Sequence, residues 1–171
     1  MKSPVPEKLR QRNVLAMVVV IAALAVLVVV DYWPDWSRYR DTTTPPHVIS
    51  AGQSETIDGQ TWSVAGIRHL DEPPGPPRTR KLPKGTVLQV VSIQRTNGRD
   101  GDLCTGVITD GTRRWQAEAI GGYNVPLPDN ASDRCTRSGP VQFTFLLPDD
   151  VVPTAVDVVN LDGRIRLRLQ L

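Results

Sequence analysis

Cys104 and Cys135 are the two cysteines of the 171-residue chain and its most reactive side chains by type. Two thiolates are too few to close a zinc site, and a lone nucleophilic cysteine needs a base beside it. The histidines are His47, in a threonine- and proline-rich stretch, and His69, at the end of a strand-like run. No G-x-S-x-G motif, glycine-rich phosphate loop or metal-ligand spacing occurs in the sequence. The acids Asp149-Asp150 follow Pro148, where turn chemistry explains them better than general acid–base work. The acidic stretch Asn97–Asp102 lacks both the spacing of a calcium loop and its closing glutamate. The expectation is therefore no enzyme, with no catalytic residues, no metal and no cofactor.

Arg78, Arg80 and Lys81 form the dense basic cluster, inside a segment, Asp71–Gly85, that carries five prolines. Such a segment cannot be regular strand or helix and reads as a surface loop, either a solvated insertion or a binding loop. From Val48 to Leu171 there are fourteen Lys plus Arg against fourteen Asp plus Glu. A neutral domain of mixed signs has no field to draw in polyanions, so nucleic acid is not an expected partner.

The element that must place these residues is Val14–Val30, seventeen residues without a charge, a proline or a polar side chain. As a helix it spans roughly 26 Å, the short end of a bilayer crossing. Lys2, Lys8, Arg10 and Arg12 precede it, against Glu7 alone, while Asp31 and Asp35 offset Arg38 and Arg40 beyond it. Positive residues stay on the cytoplasmic side, so the expected order is a cytoplasmic tail over 1–13 and a signal-anchor helix over 14–33. A juxtamembrane segment with a Thr/Pro linker over 34–47 and an extracytoplasmic domain over 48–171 complete it. A cleaved signal peptide is the rival reading, opposed by the length of the run and by the poor cleavage site Val28–Trp33. Tyr32, Trp33, Trp36 and Tyr39 read as a headgroup-level aromatic belt, with a docking surface for a second membrane protein as the alternative. The threonines before Pro45-Pro46 resist helix and read as a spacer, or as O-glycosylation sites.

An even cysteine pair outside the membrane reads as a disulfide between Cys104 and Cys135, with free or intermolecular thiols as the alternative. About 124 residues suffice for one core and not two. Asp58-Gly59, Asp110-Gly111 and Asp162-Gly163 are hairpin signals between strand-like runs. A two-residue turn at Asp110-Gly111 would set Cys104 against Ala117 and Gly106 against Trp115, placing Trp115 diagonally beside the disulfide. A two-residue turn at Asp162-Gly163 would set Arg168 opposite Asp157. Arg164, Arg166 and Arg168 then line an outer face, as an edge-strand guard or a ligand stripe. Val141, Phe143, Phe145 and Leu147 point inward, with Gln142 and Thr144 outward. Thr86–Arg95 is apolar on both faces in its first half, as in a central strand partly covered on its second side. The fold class is all-β: an immunoglobulin-like β-sandwich of about seven or eight antiparallel strands behind one transmembrane helix.

The run Gly59-Gln60-x-Trp62-x-Val64, Leu82-Pro83-x-Gly85, Cys104, Asp110-Gly111, Trp115, Cys135 and Phe145-x-x-Pro148 carries a family likeness. Across Ser50 to Asn160 the chain resembles the telokin-like, immunoglobulin-like ectodomains of small single-pass actinobacterial membrane proteins. The resemblance implies a cell-envelope location and brings no activity with it. The expected function is a membrane-anchored, non-enzymatic envelope module that binds another envelope or membrane protein or stabilises a complex. The alternative is a small-ligand or glycan receptor using loop 71–85.

Overall fold

A computed structural model describes residues 7–72, 81–118, 123 and 125–171. The chain divides into two compact units, Met1–Asp41 and Thr42–Leu171.

The first unit is helical throughout its described length: α1 (Glu7–Leu27), one π-helical stretch (Val28–Tyr32) and α2 (Trp33–Thr43). Pro34 accounts for the wide turn. Its ring collides with the carbonyl four residues back and it has no N–H to give. Opening the preceding turn, so that Trp33 N–H reaches the Val28 carbonyl, carries the helix past it. Helix to Thr43 corrects the reading of the threonines in the expected juxtamembrane and linker stretch over 34–47. Two threonines lower helix propensity only slightly, whereas Pro45 sets the stop by disfavouring α geometry at the residue before it. The helix from Gln11 to Thr43 is long and apolar enough to cross a membrane, by length and composition.

The second unit is a β-sandwich of nine strands among the described residues. They are β1 (Val48–Ile49), β2 (Ser54–Ile57), β3 (Gln60–Leu70), β4 (Thr86–Thr96), β5 (Cys104–Thr109), β6 (Arg114–Gln116), β7 (Val141–Pro148), β8 (Ala155–Asn160) and β9 (Ile165–Gln170). One sheet runs β1-β9-β8-β5-β6, the other β2-β3-β4-β7. The expected count is exceeded by short pieces such as β1 and β6. The all-antiparallel expectation needs correction too, because β1 lies parallel to β9, with Val48 beside Arg168 and Ile49 beside Leu169. That pairing also corrects the edge-strand reading at Arg168, where β9 sits between β1 and β8; the two residues of β1 do not reach Arg164 or Arg166.

Of the three expected two-residue turns, one is as short as its sequence suggests. Asp58 and Gly59 both take positive φ, and Ile57 pairs with Gln60 across them. That at Asp162-Gly163 takes three residues, 161–163, with Asn160 N–H on the Arg164 carbonyl, and a bulge between Val158 and Val159 restores the expected register beyond it. Arg168 lies opposite Asp157, and Val156 and Val158 face Leu169 and Leu167 inside. The turn at Asp110 is longer. One Asp110 carboxylate oxygen accepts the backbone N–H groups of Thr112 and Arg113, and the other accepts Arg113 Nε–H at 2.9 Å. This side-chain cap holds four residues in the loop and pairs Trp115 with Ile108 instead of Gly106. Trp115 is therefore not the disulfide's neighbour in the sheet.

The main core lies between the sheets. Trp62, Val91, Ile93, Phe143, Phe145 and Leu147 come from one, and Ile108, Val156, Val158, Leu167 and Leu169 from the other. Gly106 makes that approach possible: a Cβ there would sit 2.7 Å from the Phe143 ring and 3.0 Å from Phe145. A second, smaller core covers the outer face of β4, where Leu88 and Val90 pack with Val125, Leu82, Tyr123 and Leu146. It explains the apolar character of both faces of β4. The same covering corrects the outward reading of Gln142 and Thr144, which are both buried. Gln142 Nε2 donates to the Pro126 carbonyl at 3.3 Å and its Oε1 accepts from Arg68, so its polar atoms are satisfied under cover.

Candidate functional site

Cys104 and Cys135 are joined, with Cα atoms 5.3 Å apart, and both are buried. Arg78 and Arg80 lie outside the described residues. Lys81 is exposed, and its carbonyl accepts the Tyr123 hydroxyl at 3.1 Å. Tyr32, Trp36 and Tyr39 recur at helical spacing, and their rings are 6.3 and 5.9 Å apart in sequence. They and Trp33 are exposed on the isolated chain.

Charged side chains converge around Trp62, on β3. Arg95 enters the core because positions 87, 89, 91, 93 and 95 of β4 share the inward face, so the strand that buries Val91 and Ile93 also buries its arginine. Its guanidinium stands 5.5 Å from the Trp62 ring centre, and that of Arg166, on β9, stands 5.6 Å from it. Asp102 is the shared anion. Its Oδ2 accepts Gln60 Nε2 at 3.0 Å and Arg166 Nη1 at 3.2 Å. Arg95 Nη1 is 3.9 Å away, near enough for charge and too far for a hydrogen bond. Arg95 Nη2 donates instead to the carbonyls of Cys135 and Arg137. One buried guanidinium thus fastens the disulfide loop to the sandwich. The Gln60 amide, followed by Arg166, holds the Asp102 carboxyl below the usual carboxylate range, whereas burial pushes the Arg95 guanidinium down against the pull of Asp102.

A second cluster lies on the outer side of the five-stranded sheet. Asp157 is wholly buried. Arg168 holds it through two bonds, of 2.6 and 2.9 Å, and Arg114 through one of 3.0 Å. Of the arginines expected to guard an edge, Arg168 is committed to this internal acid, Arg166 to the half-buried Asp102, and Arg164 to the exposed Asp162 of its own turn. Beside β7 is a cleft of about 190 Å³ lined by Ala117, Glu118, Val125, Leu127, Asp133 and Phe143 among others. It is below the several hundred Å³ of ordinary small-molecule sites. Among the described residues no group of three or more His, Cys, Asp or Glu could hold a metal ion.

No protein-family model matches the chain, and no curated protein matches it. Among solved structures it is similar to one described as an uncharacterized beta-sandwich protein from Clostridium difficile 630. The identity is 12%, over 73% of this chain and 93% of that one, with a TM-score of 0.41.

Sequence reasoning missed Gln60, Trp62, Arg95, Asp102 and Arg166 as a group. A signal existed for one of them, since Arg95 continues the inward alternation of Val91 and Ile93. The role of Asp102 depends on loop geometry that no local pattern encodes.

Acid is expected to loosen this cluster. The folded Asp102 carboxyl titrates below its ordinary 3.8, so its stabilisation is complete above about that pH and is lost as pH falls through the lower folded value. Asp110 and Asp162 are lowered as well, so Asp102→Asn should flatten the acid limb of a plot of unfolding midpoint against pH without abolishing it. An acid limb of unchanged slope in the variant would contradict this assignment.

Proposed function

We propose that this chain is a membrane-anchored module of the cell envelope. Its helix spans the bilayer with the N-terminus cytoplasmic, and its sandwich works outside as a non-enzymatic protein-binding or complex-stabilising subunit. One observation carries the reading: the apolar side chains from Val14 to Val30 are exposed all around the helix, with Leu15, Met17 and Val29 at 66–67%. Seventeen such residues cannot be left in water, and a helix apolar on every side suits lipid. The disulfide supports an oxidising compartment for the second unit. The aromatic group just after the run supports an outer interface. The parallel β1–β9 pairing and the buried Trp62 near the disulfide loop support an immunoglobulin-like, telokin-like sandwich.

The test uses the full chain with a tag at each end, expressed in intact cells and exposed to external protease. Loss of the C-terminal tag with retention of the N-terminal tag on a membrane-bound fragment is expected. Cross-linking in the same cells is expected to trap a second envelope protein. A mature N-terminus beyond Trp33 would reject the anchor, and repeated recovery of uncross-linked chain alone would reject the complex.

A further inference from the structure

The cleft beside β7 opens along an edge of the four-stranded sheet, over Gln142, Phe143 and Thr144. On one flank Gln142 N–H reaches the Ser132 carbonyl at 2.9 Å, and on the other Glu118 N–H reaches the Thr144 carbonyl at 2.7 Å. Those straps leave no run of free rungs over these residues for an added strand, but a side chain can enter between them. The volume of about 190 Å³ equals that of roughly six waters, which one long side chain can displace.

The lining is divided by chemistry. Ala117, Val125, Leu127 and Phe143 supply apolar surface, while Glu118 and Asp133 supply two carboxylates. No cation lines the cleft among the described residues. Glu118 is half-buried and its Oε2 accepts only a neutral donor, the Tyr123 N–H at 3.1 Å. Asp133 is exposed, and neither acid forms an ion pair with a described residue. Arg68 comes near only through Gln142, whose Oε1 it meets at 3.3 Å, and Arg134, next to Asp133 in sequence, pairs with neither acid. The Gln142 amide is spent on Arg68 and on the Pro126 carbonyl. Thr144 is 7% exposed, and its hydroxyl is neither bonded to a described side chain nor sealed from solvent, so it opens on the cleft. An apolar wall beside two carboxylates and an open hydroxyl calls for an alkyl stem that ends in a cation.

We propose that this cleft receives one arginine or lysine side chain of the partner protein, an occupant that presupposes the complex-stabilising role above. The stem lies on Val125, Leu127 and Phe143, and the cationic head meets Glu118, Asp133 and the Thr144 hydroxyl.

The test uses the full chain in uncharged detergent micelles, with n-butylguanidinium as probe and uncharged n-butylurea as control. The amide signals of Ala117 and Thr144 should shift saturably with the cation, at a Kd of roughly 1 mM, and stay in place with the urea. Glu118→Gln keeps an acceptor for the Tyr123 N–H and should weaken binding about fivefold; Asp133→Asn, at the more exposed acid, should weaken it about twofold. In intact cells, a photo-cross-linking residue in place of Leu127 should trap a second envelope protein, and the two acid substitutions together should cut that adduct about tenfold. Equal binding of cation and urea, or no saturable shift, would overturn the cleft as a cation site and leave the complex to cross-links from other positions. Cross-links from other positions with none from Leu127 would overturn the partner as occupant. Probe binding without a cross-link from any position would reject the complex itself and leave the cleft to a free organic cation.

Discussion

Arg168→Met is expected to lower the unfolding free energy of the sandwich by about 3–5 kcal/mol, the cost of stripping a partner from a buried charge. The magnitude rests on the acid. Asp157 has no exposure, so its carboxylate cannot turn to water when Arg168 leaves, and only Arg114, at 3.0 Å, stays with it. Arg168 itself is 27% exposed on its side chain, so the reverse truncation strands a charge that water can reach. Asp157→Leu should therefore cost less than Arg168→Met, although it removes the same pair. Combining the two changes should recover much of the loss, because an apolar pair leaves no orphaned charge. Denaturant unfolding of the four proteins closes the cycle. A loss below about 1 kcal/mol in Arg168→Met would mean that the pair behaves as a surface ion pair.

The acid clusters place the stability of the sandwich partly outside its apolar core. Asp157 ties β8 to β9 and, through Arg114, to the three-residue edge strand β6. Asp102 and Arg95 tie the loops after β4 and around Cys135 to the opposite sheet through Arg166. Both use arginine, whose planar fork can hold two acceptors and whose charge survives burial better than that of lysine.

The parts legible in the sequence are those set by two adjacent residues or by strict alternation. Asp58-Gly59 forces a two-residue turn because both positions need positive φ, and the pairing of β2 with β3 follows from it. Val141, Phe143, Phe145 and Leu147 alternate inward as written, and Arg168 does meet Asp157, although through a three-residue turn whose extra residue a bulge at Val158/Val159 absorbs. Errors arose where a distant segment decides the environment. Nothing near Arg164–Arg168 announces that Val48–Ile49 returns to cover that edge, and nothing near Gln142 announces the cover from Pro126. The Asp110 turn failed for a local reason of another kind. The Asp-Gly pair signals a turn, but the side-chain cap that lengthens it depends on Thr112 and Arg113 following in sequence. The helix past Pro34 is the counterpart: a breaker by residue type, bypassed by one wide turn.

Replacing both cysteines by alanine is expected to remove about 3–4 kcal/mol on the chain-entropy account, given the separation of 31 residues between Cys104 and Cys135. The native-state response should be uneven. Cys104 N–H donates to the Arg134 carbonyl and Gly101 N–H to that of Thr136, each at 3.0 Å, so both bonds depend on the loop that the disulfide holds. Cys135 also occupies a left-handed backbone conformation, with φ of +58°, which alanine adopts at a cost, and its carbonyl is one of the two that satisfy Arg95. Loss of the bond should therefore raise hydrogen exchange first at Gly101 and Cys104. Val156 and Val158, in the centre of the other sheet, should keep their protection up to global unfolding. An unchanged denaturation midpoint would remove the disulfide from the list of what holds the domain together. Uniform loss of protection would show instead that the loop and the sandwich unfold as one unit, and that Arg95 couples them more tightly than its two carbonyl bonds account for.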